Sequence, residues 1–306
     1  MKNRTEILEI IERNAEMIAF PEEAVDLLVC AFDHIAERAG ELAVFVSFME
    51  KYRFDAEVDM LPIFEGLKKM GERLAIHEYT LYMVFFLAIS DIMRDHYDAM
   101  GIDRKIFVET LGDLKNHLLI CLDLHGIWGH MVPSWQIGFL NGKTVSLGRL
   151  QFQLTKFRRE CEVGGYKLTP ESTVLHVHIP RNGTRLDHDA VSASYRRAAE
   201  YFAPVFGNEP IVFACNSWLL YPKNLEFLSE KSNLRAFCND FNIIETVEYP
   251  DYSDTWRLFD KLYTGNPDDM PKDTSLRRAY VDMMKRGEKT GKALGVFIYE
   301  RKSNEN

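Results

Sequence analysis

No window of the 306-residue chain reaches the roughly 18 consecutive apolar residues a membrane-spanning helix needs, so no segment reads as one. Glu6, Glu9, Glu12 and Arg13 interrupt the apolar start, which argues against a secretory leader. Cysteine is sparse and odd in number: Cys30, Cys121, Cys161, Cys215 and Cys238, with no Cys-x-x-Cys pair. A disulfide framework or zinc knuckle is therefore not expected, and a reducing, cytoplasmic setting is. There is no Gly-x-Ser-x-Gly elbow, so Ser217 beside Cys215 does not mark a serine hydrolase, and Cys215 in its apolar run reads as a core residue. A broad basic surface is missing too. Residues 1–125 hold 13 Lys/Arg against 24 Asp/Glu and residues 126–306 hold 24 against 22, within a total net charge of −9. Neither half suits nucleic acid, and an anionic ligand meets less repulsion in the second.

What is present is a chain with 46% hydrophobic and 27% charged residues, ordinary for folded protein and long enough for two domains. The charge break suggests domains at 1–125 and 126–306. The first is poor in Gly and Pro and carries apolar residues at i, i+3 and i+4. Helices are expected over 1–18, 21–39, from 42, 62–70, 75–97 and 104–124. The run from Leu81 to Leu87 is apolar all round and reads as buried, with Tyr79, Tyr82, Phe85 and Phe86 as bundle core rather than a cofactor box. After Gly126 strand-like runs alternate with short helices. Asn141-Gly142 predicts a hairpin joining 135–140 to 144–157. Strands are expected at 173–179, 211–215, 243–249 and 294–300, with helices at 190–206, 233–241, 256–263 and 275–286 and a polar tail after Lys302. The expected fold class is a two-domain α+β protein: an all-α helical bundle followed by a mixed α/β sheet domain.

Four stretches of the second half carry a family likeness. They are Val145-Ser146-Leu147-Gly148-Arg149-Leu150-Gln151-Phe152, Leu175-His176-Val177-His178-Ile179-Pro180, Cys215-Asn216-Ser217-Trp218-Leu219-Leu220 and Pro271-Lys272-Asp273-Thr274-Ser275-Leu276-Arg277. With them the chain resembles a bacterial family of acyltransferase-domain proteins with a helical N-terminal domain and a GNAT-like C-terminal domain. The resemblance implies an acyl-CoA slot opened between the superfamily's fourth and fifth strands, matched here by 173–179 and 211–215. It also implies pyrophosphate bound by the loop leading into the helix at 190–206. The superfamily loop is Gln/Arg-x-x-Gly-x-Gly/Ala; here Arg181-Asn182-Gly183-Thr184-Arg185-Leu186 offers one glycine and two arginines. Gly183 allows a positive-φ turn, and the guanidiniums can grip phosphate bidentately. Arg181, Asn182, Gly183, Thr184, Arg185 and Asn216 are thus the candidate cofactor contacts, with acetyl-CoA or another acyl-CoA as co-substrate.

Acyl transfer to an amine needs a base, an oxyanion donor and an acid for the leaving thiolate. His176 and His178, at i and i+2 on a strand, project from one face and are base candidates. Tyr221, just after the Trp218-Leu219-Leu220 run, is the acid candidate. His-x-His is also a metal spacing, with Asp187, His188 and Asp189 downstream, and Asp123, His125 and His130 form a second loose cluster. Helix capping and linker chemistry explain both, so no metal is expected. Two principal readings stand: an acyl-CoA-dependent N-acyltransferase using a small-molecule or peptide amine, or a catalytically inactive GNAT-like scaffold. A metal-dependent enzyme is a third. No nucleic-acid or membrane partner is expected, and the oligomeric state is not legible.

Overall fold

The computed structural model describes residues 3–300; the polar tail and the expected helix start at Met1 lie outside them. The chain divides into two compact units, the first ending at Val145 and the second beginning at Ser146. The first contains helices α1 (Arg4–Met17), α2 (Glu22–Ala36), α3 (Ala39–Phe54), α4 (Leu61–Leu74), α5 (Glu78–Ala88), α6 (Ser90–Ala99), α7 (Arg104–Leu111), α8 (Asp113–His125) and a final turn, α9 (Ile137–Leu140). Asn3 caps α1 reciprocally with Glu6, so the helix starts at Arg4. Pro21 is the residue before α2 rather than its first.

Two long expected helices are each broken once. At Ile89, the Ser90 hydroxyl back-bonds to the Phe86 carbonyl at 2.8 Å, an alternative to the helical ladder that bends the chain. At Gly112 the chain restarts with Asp113, whose buried carboxylate accepts from Trp135 Nε1 at 3.1 Å and Gln136 Nε2 at 3.4 Å. Leu81 to Ala88 are all buried, as the all-round apolar run predicts.

The expected hairpin at Asn141-Gly142 does not form. Residues 137–140 are helical because Phe139 and Leu140 are buried and their carbonyls accept from Tyr97 Oη at 2.6 Å and Tyr52 Oη at 2.7 Å. Asn141-Gly142 ends that helix instead.

The second unit is built on a six-stranded sheet of order β1-β2-β5-β6-β8-β7. Its strands are β1 (Thr144–Leu147), β2 (Leu150–Lys156), β5 (Thr173–His178), β6 (Ile211–Ser217), β7 (Asn242–Glu248) and β8 (Gly291–Tyr299). A separate hairpin, β3 (Cys161–Val163) and β4 (Tyr166–Leu168), turns at Gly164-Gly165, both at positive φ. That Gly-Gly pair is the type I′ signal that Asn141-Gly142 only imitated. Pairings are antiparallel for β2–β5, β6–β8 and β7–β8 and parallel for β5–β6, so the sheet is mixed. Helices α10 (His188–Tyr201), α11 (Ala203–Phe206), α12 (Asn224–Phe227), α13 (Asn233–Asn239), α14 (Trp256–Phe259) and α15 (Ser275–Lys285) complete the unit. Tyr195 of α10 packs on Phe152, Phe213 and Phe297 and covers one sheet face. On the other face Val174, Val212, Ala214 and Val296 pack with Val163 and Leu168 of the small hairpin.

Candidate active site

Strand alternation decides which side chains meet at the C-terminal end of β5. Val174, His176 and His178 share a face, and Leu175 and Val177 take the other, toward α10. Across the antiparallel ladder Gln151 stands opposite His178 and Gln153 opposite His176. Across the parallel ladder His176 stands opposite Ala214, which puts Asn216, two residues on, on the same face. The result is a polar patch of two glutamines, two histidines and an asparagine beside the apolar Val174, Val212, Ala214 and Val296 of the same face. The parallel ladder joins only Leu175 to Phe213 and His176 to Ala214, while β5 continues to His178 and β6 to Ser217.

The histidines differ. Their rings lie 4.7 Å apart, centroid to centroid. Burial pushes the His176 pKa down to about 4, and its Nδ1 is buried with no hydrogen-bond partner. His176 is neutral at pH 7 and only weakly basic. His178 is half-buried, with its Nε2 3.2 Å from Gln153 Oε1. An amide oxygen only accepts, so a neutral ring meets it with Nε2–H.

The loop from β5 to α10 follows directly. Gly183 has φ +73°, a backbone that glycine adopts without strain. Asn182 Oδ1 accepts from the Thr184 N–H at 3.2 Å and hydroxyl at 2.7 Å, closing an Asx turn. Arg181 to Arg185 are exposed. Asp187 caps α10, its Oδ1 taking the Ala190 N–H at 2.9 Å, so the helix start already holds one carboxylate. Arg181 Nε lies 3.0 Å from Asp260 Oδ1. Of the expected contacts, residues 181–185 therefore form one continuous turn, and Asn216 sits on the neighbouring strand.

Arg149, from the first of the four family-like stretches, and Ser194, which no sequence pattern marks, hold this loop. Arg149 donates from Nη1 to the Pro180 carbonyl at 3.0 Å and from Nε to the Arg185 carbonyl at 3.2 Å, clasping both ends of the turn. Burial lowers its pKa, with the Asp187 charge opposing. Ser194 on α10 accepts from the N–H groups of Arg149 at 2.8 Å and Leu150 at 3.3 Å and donates to the Ala190 carbonyl. Gly148, at φ +86°, is closely packed: a Cβ there would meet Ser194 Oγ at 3.0 Å. The Leu147-Gly148-Arg149-Leu150 stretch is thus a turn docked on α10.

Tyr221 is placed against the first residue of β8, Gly291, and is buried. Its hydroxyl donates toward Glu248 Oε1 and the Lys289 carbonyl, both at 3.4 Å, and burial raises its pKa. Cys215 is fully buried, which pushes its thiol pKa far up and suits a core residue rather than a nucleophile. No grouping of three or more metal-ligating side chains occurs among the described residues.

Residues 144–297 match the GNAT-like C-terminal domain, and residues 10–142 match the N-acyltransferase N-terminal domain. No curated relative matches the chain. Solved structures do. An acyltransferase in complex with decanoyl-CoA and teicoplanin is 22% identical with a TM-score of 0.72, over 98% of this chain and 89% of that one. An acyltransferase in complex with CoA and 10C-teicoplanin is 23% identical with a TM-score of 0.68, over 91% and 88%. An acyltransferase in complex with decanoyl-CoA is 20% identical with a TM-score of 0.64, over 94% and 99%. At such identities the likeness is one of fold.

Proposed function

Because the chain belongs to the family defined by the GNAT-like C-terminal domain, behind an N-acyltransferase N-terminal domain, we propose that it transfers an acyl group from acyl-CoA to an amine. The observation that carries this reading is a juxtaposition at the end of β5. A histidine pair at the end of a short parallel ladder, His176 on its last rung and His178 beyond it, is followed within three residues by an arginine-bearing, glycine-hinged turn into α10. The turn supplies what phosphates need: exposed backbone, Gly183 and the guanidiniums of Arg181 and Arg185.

In the proposed reaction the amine nitrogen attacks the thioester carbonyl. Its proton passes to the His178 imidazole, the C–S bond breaks, and the coenzyme leaves as thiolate, which takes up a proton. His178 is preferred to His176 because a base with a pKa of about 4 is a weak proton acceptor at neutral pH. Tyr221 is the proposed acid, and Tyr221→Phe tests it. Two of the solved structures hold decanoyl-CoA, one of them together with teicoplanin, and a third holds CoA with 10C-teicoplanin. A medium-chain acyl-CoA and a small-molecule amine are therefore the first substrates to try, with a peptide amine as the alternative and a cytoplasmic setting.

Isothermal titration with acetyl-, octanoyl- and decanoyl-CoA, paired with a thiol-release assay across a panel of amines, tests the reading. Binding with amine-dependent thiol release is the expected result. Binding without release for any amine would instead fit a scaffold that retains the fold, and no binding would remove both.

A further inference from the structure

Resting on the reading of Arg181 as a phosphate contact, we propose that Asp260 is the positioning residue that holds Arg181 ready for the coenzyme. Asp260 closes the single-turn helix α14, its N–H bonded to the Trp256 carbonyl at 2.8 Å, and its φ is +54°. Asp adopts that region more readily than most side chains, so the carboxylate is presented there with little strain. From it the carboxylate serves two arginines at once. Oδ1 lies 3.0 Å from Arg181 Nε, and Oδ2 accepts from Arg277 Nη2.

Arg277, on the first turn of α15, is the fixed end of this chain. Its Nε donates to the Leu258 carbonyl at 2.9 Å and its Nη1 to Asp273 Oδ1 at 2.9 Å, with only 16% of its side chain exposed. Arg181 is the adjustable end, on a turn and 39% exposed. Arg277 immobilises Asp260, and Asp260 immobilises Arg181.

A carboxylate near a phosphate site also repels the ligand, so the sign of its effect depends on sizes. Ordering an unrestrained arginine side chain can cost up to about 30-fold in affinity. Asp260 stays paired with Arg277 when Arg181 turns to phosphate, so most of its field on the ligand is cancelled. Pre-organisation is the larger effect, and its loss on replacing Asp260 is expected to leave a net deficit of about 5-fold.

The test is a double-mutant cycle on CoA affinity by isothermal titration, with the full chain as parent, Asp260→Asn, Arg181→Ala and the double variant. Asparagine keeps the left-handed backbone and removes the charge; Asp260→Gly does the same should the first variant fold poorly. Asp260→Asn is expected to bind CoA about 5-fold more weakly, and to add nothing once Arg181 is gone. Affinity equal to or tighter than the parent's, or an equal loss in the Arg181→Ala background, would overturn the positioning role. A parent chain that does not bind CoA would instead defeat the function proposed above, so the two failures are distinguishable.

Discussion

At the scale of single residues, two histidines on one strand face have been given different work by their surroundings. His178→Ala is expected to lower turnover by about 10²–10⁴-fold with little change in acyl-CoA affinity, measured by thiol release and titration side by side. An equal loss of affinity would move His178 from chemistry to binding. His176 is expected to appear in stability instead. Its folded pKa of about 4 lies below the usual imidazole value, so the folded state favours the neutral ring. That contribution is complete above about pH 6.5 and is lost as pH falls toward 4, by on the order of 3 kcal/mol. Denaturant unfolding of the parent and His176→Phe between pH 7.5 and 4 reads it as a parent-minus-variant stability difference that falls by that amount toward pH 4, the carboxylates titrating alike in both. The i, i+2 spacing was enough to place both rings on one face. Which ring lies deeper was not legible, because it depends on Gln153 and on neighbours from strands distant in sequence.

At the scale of elements, the turn at Gly148-Arg149 shows where sequence patterns carry more than they disclose. The stretch was visible as a motif, but its use, clasping the loop between β5 and α10, depends on a guanidinium reaching carbonyls at Pro180 and Arg185. Asn141-Gly142 erred the other way. Its local turn preference gave way to the burial of Phe139 and Leu140 and to two tyrosine hydroxyls from the bundle. Local chemistry proposes a turn, and tertiary contacts decide it. Ser194→Ala should remove the acceptor for two backbone N–H groups, one of them on the buried Leu150, and destabilise the fold by about 1–3 kcal/mol. Because the same serine anchors Arg149, acyl-CoA affinity should fall with it. A stability loss with unchanged affinity would separate the turn from the site. Arg181→Ala is expected to do the reverse, weakening affinity by roughly 10- to 150-fold through loss of a charge-assisted contact, with the melting temperature of the free protein unmoved.

At the scale of the whole molecule, the helical half and the α/β half were both legible, since one is written in periods of 3.6 and the other in alternating strand runs. The charge asymmetry has a consequence for binding. Residues 126–306 hold 24 Lys/Arg against 22 Asp/Glu, so a polyanionic ligand finds no repulsive bulk field there, and attraction comes from the few arginines around the turn. Affinity for CoA should therefore weaken only modestly between 50 and 300 mM salt, because the contacts act at close range while the surrounding charges nearly cancel. Ligand linkage offers the broadest check. Acyl-CoA at about 100 times its dissociation constant adds about 2.7 kcal/mol to the state that binds it. For a unit of this size that corresponds to a rise in melting temperature of about 5–10 °C. Calorimetry with and without decanoyl-CoA should register the rise in the parent and a much smaller one in Arg181→Ala at the same ligand concentration. The same rise in both proteins would mean that the coenzyme binds without the turn between β5 and α10, and the placement of its phosphates there would have to be given up.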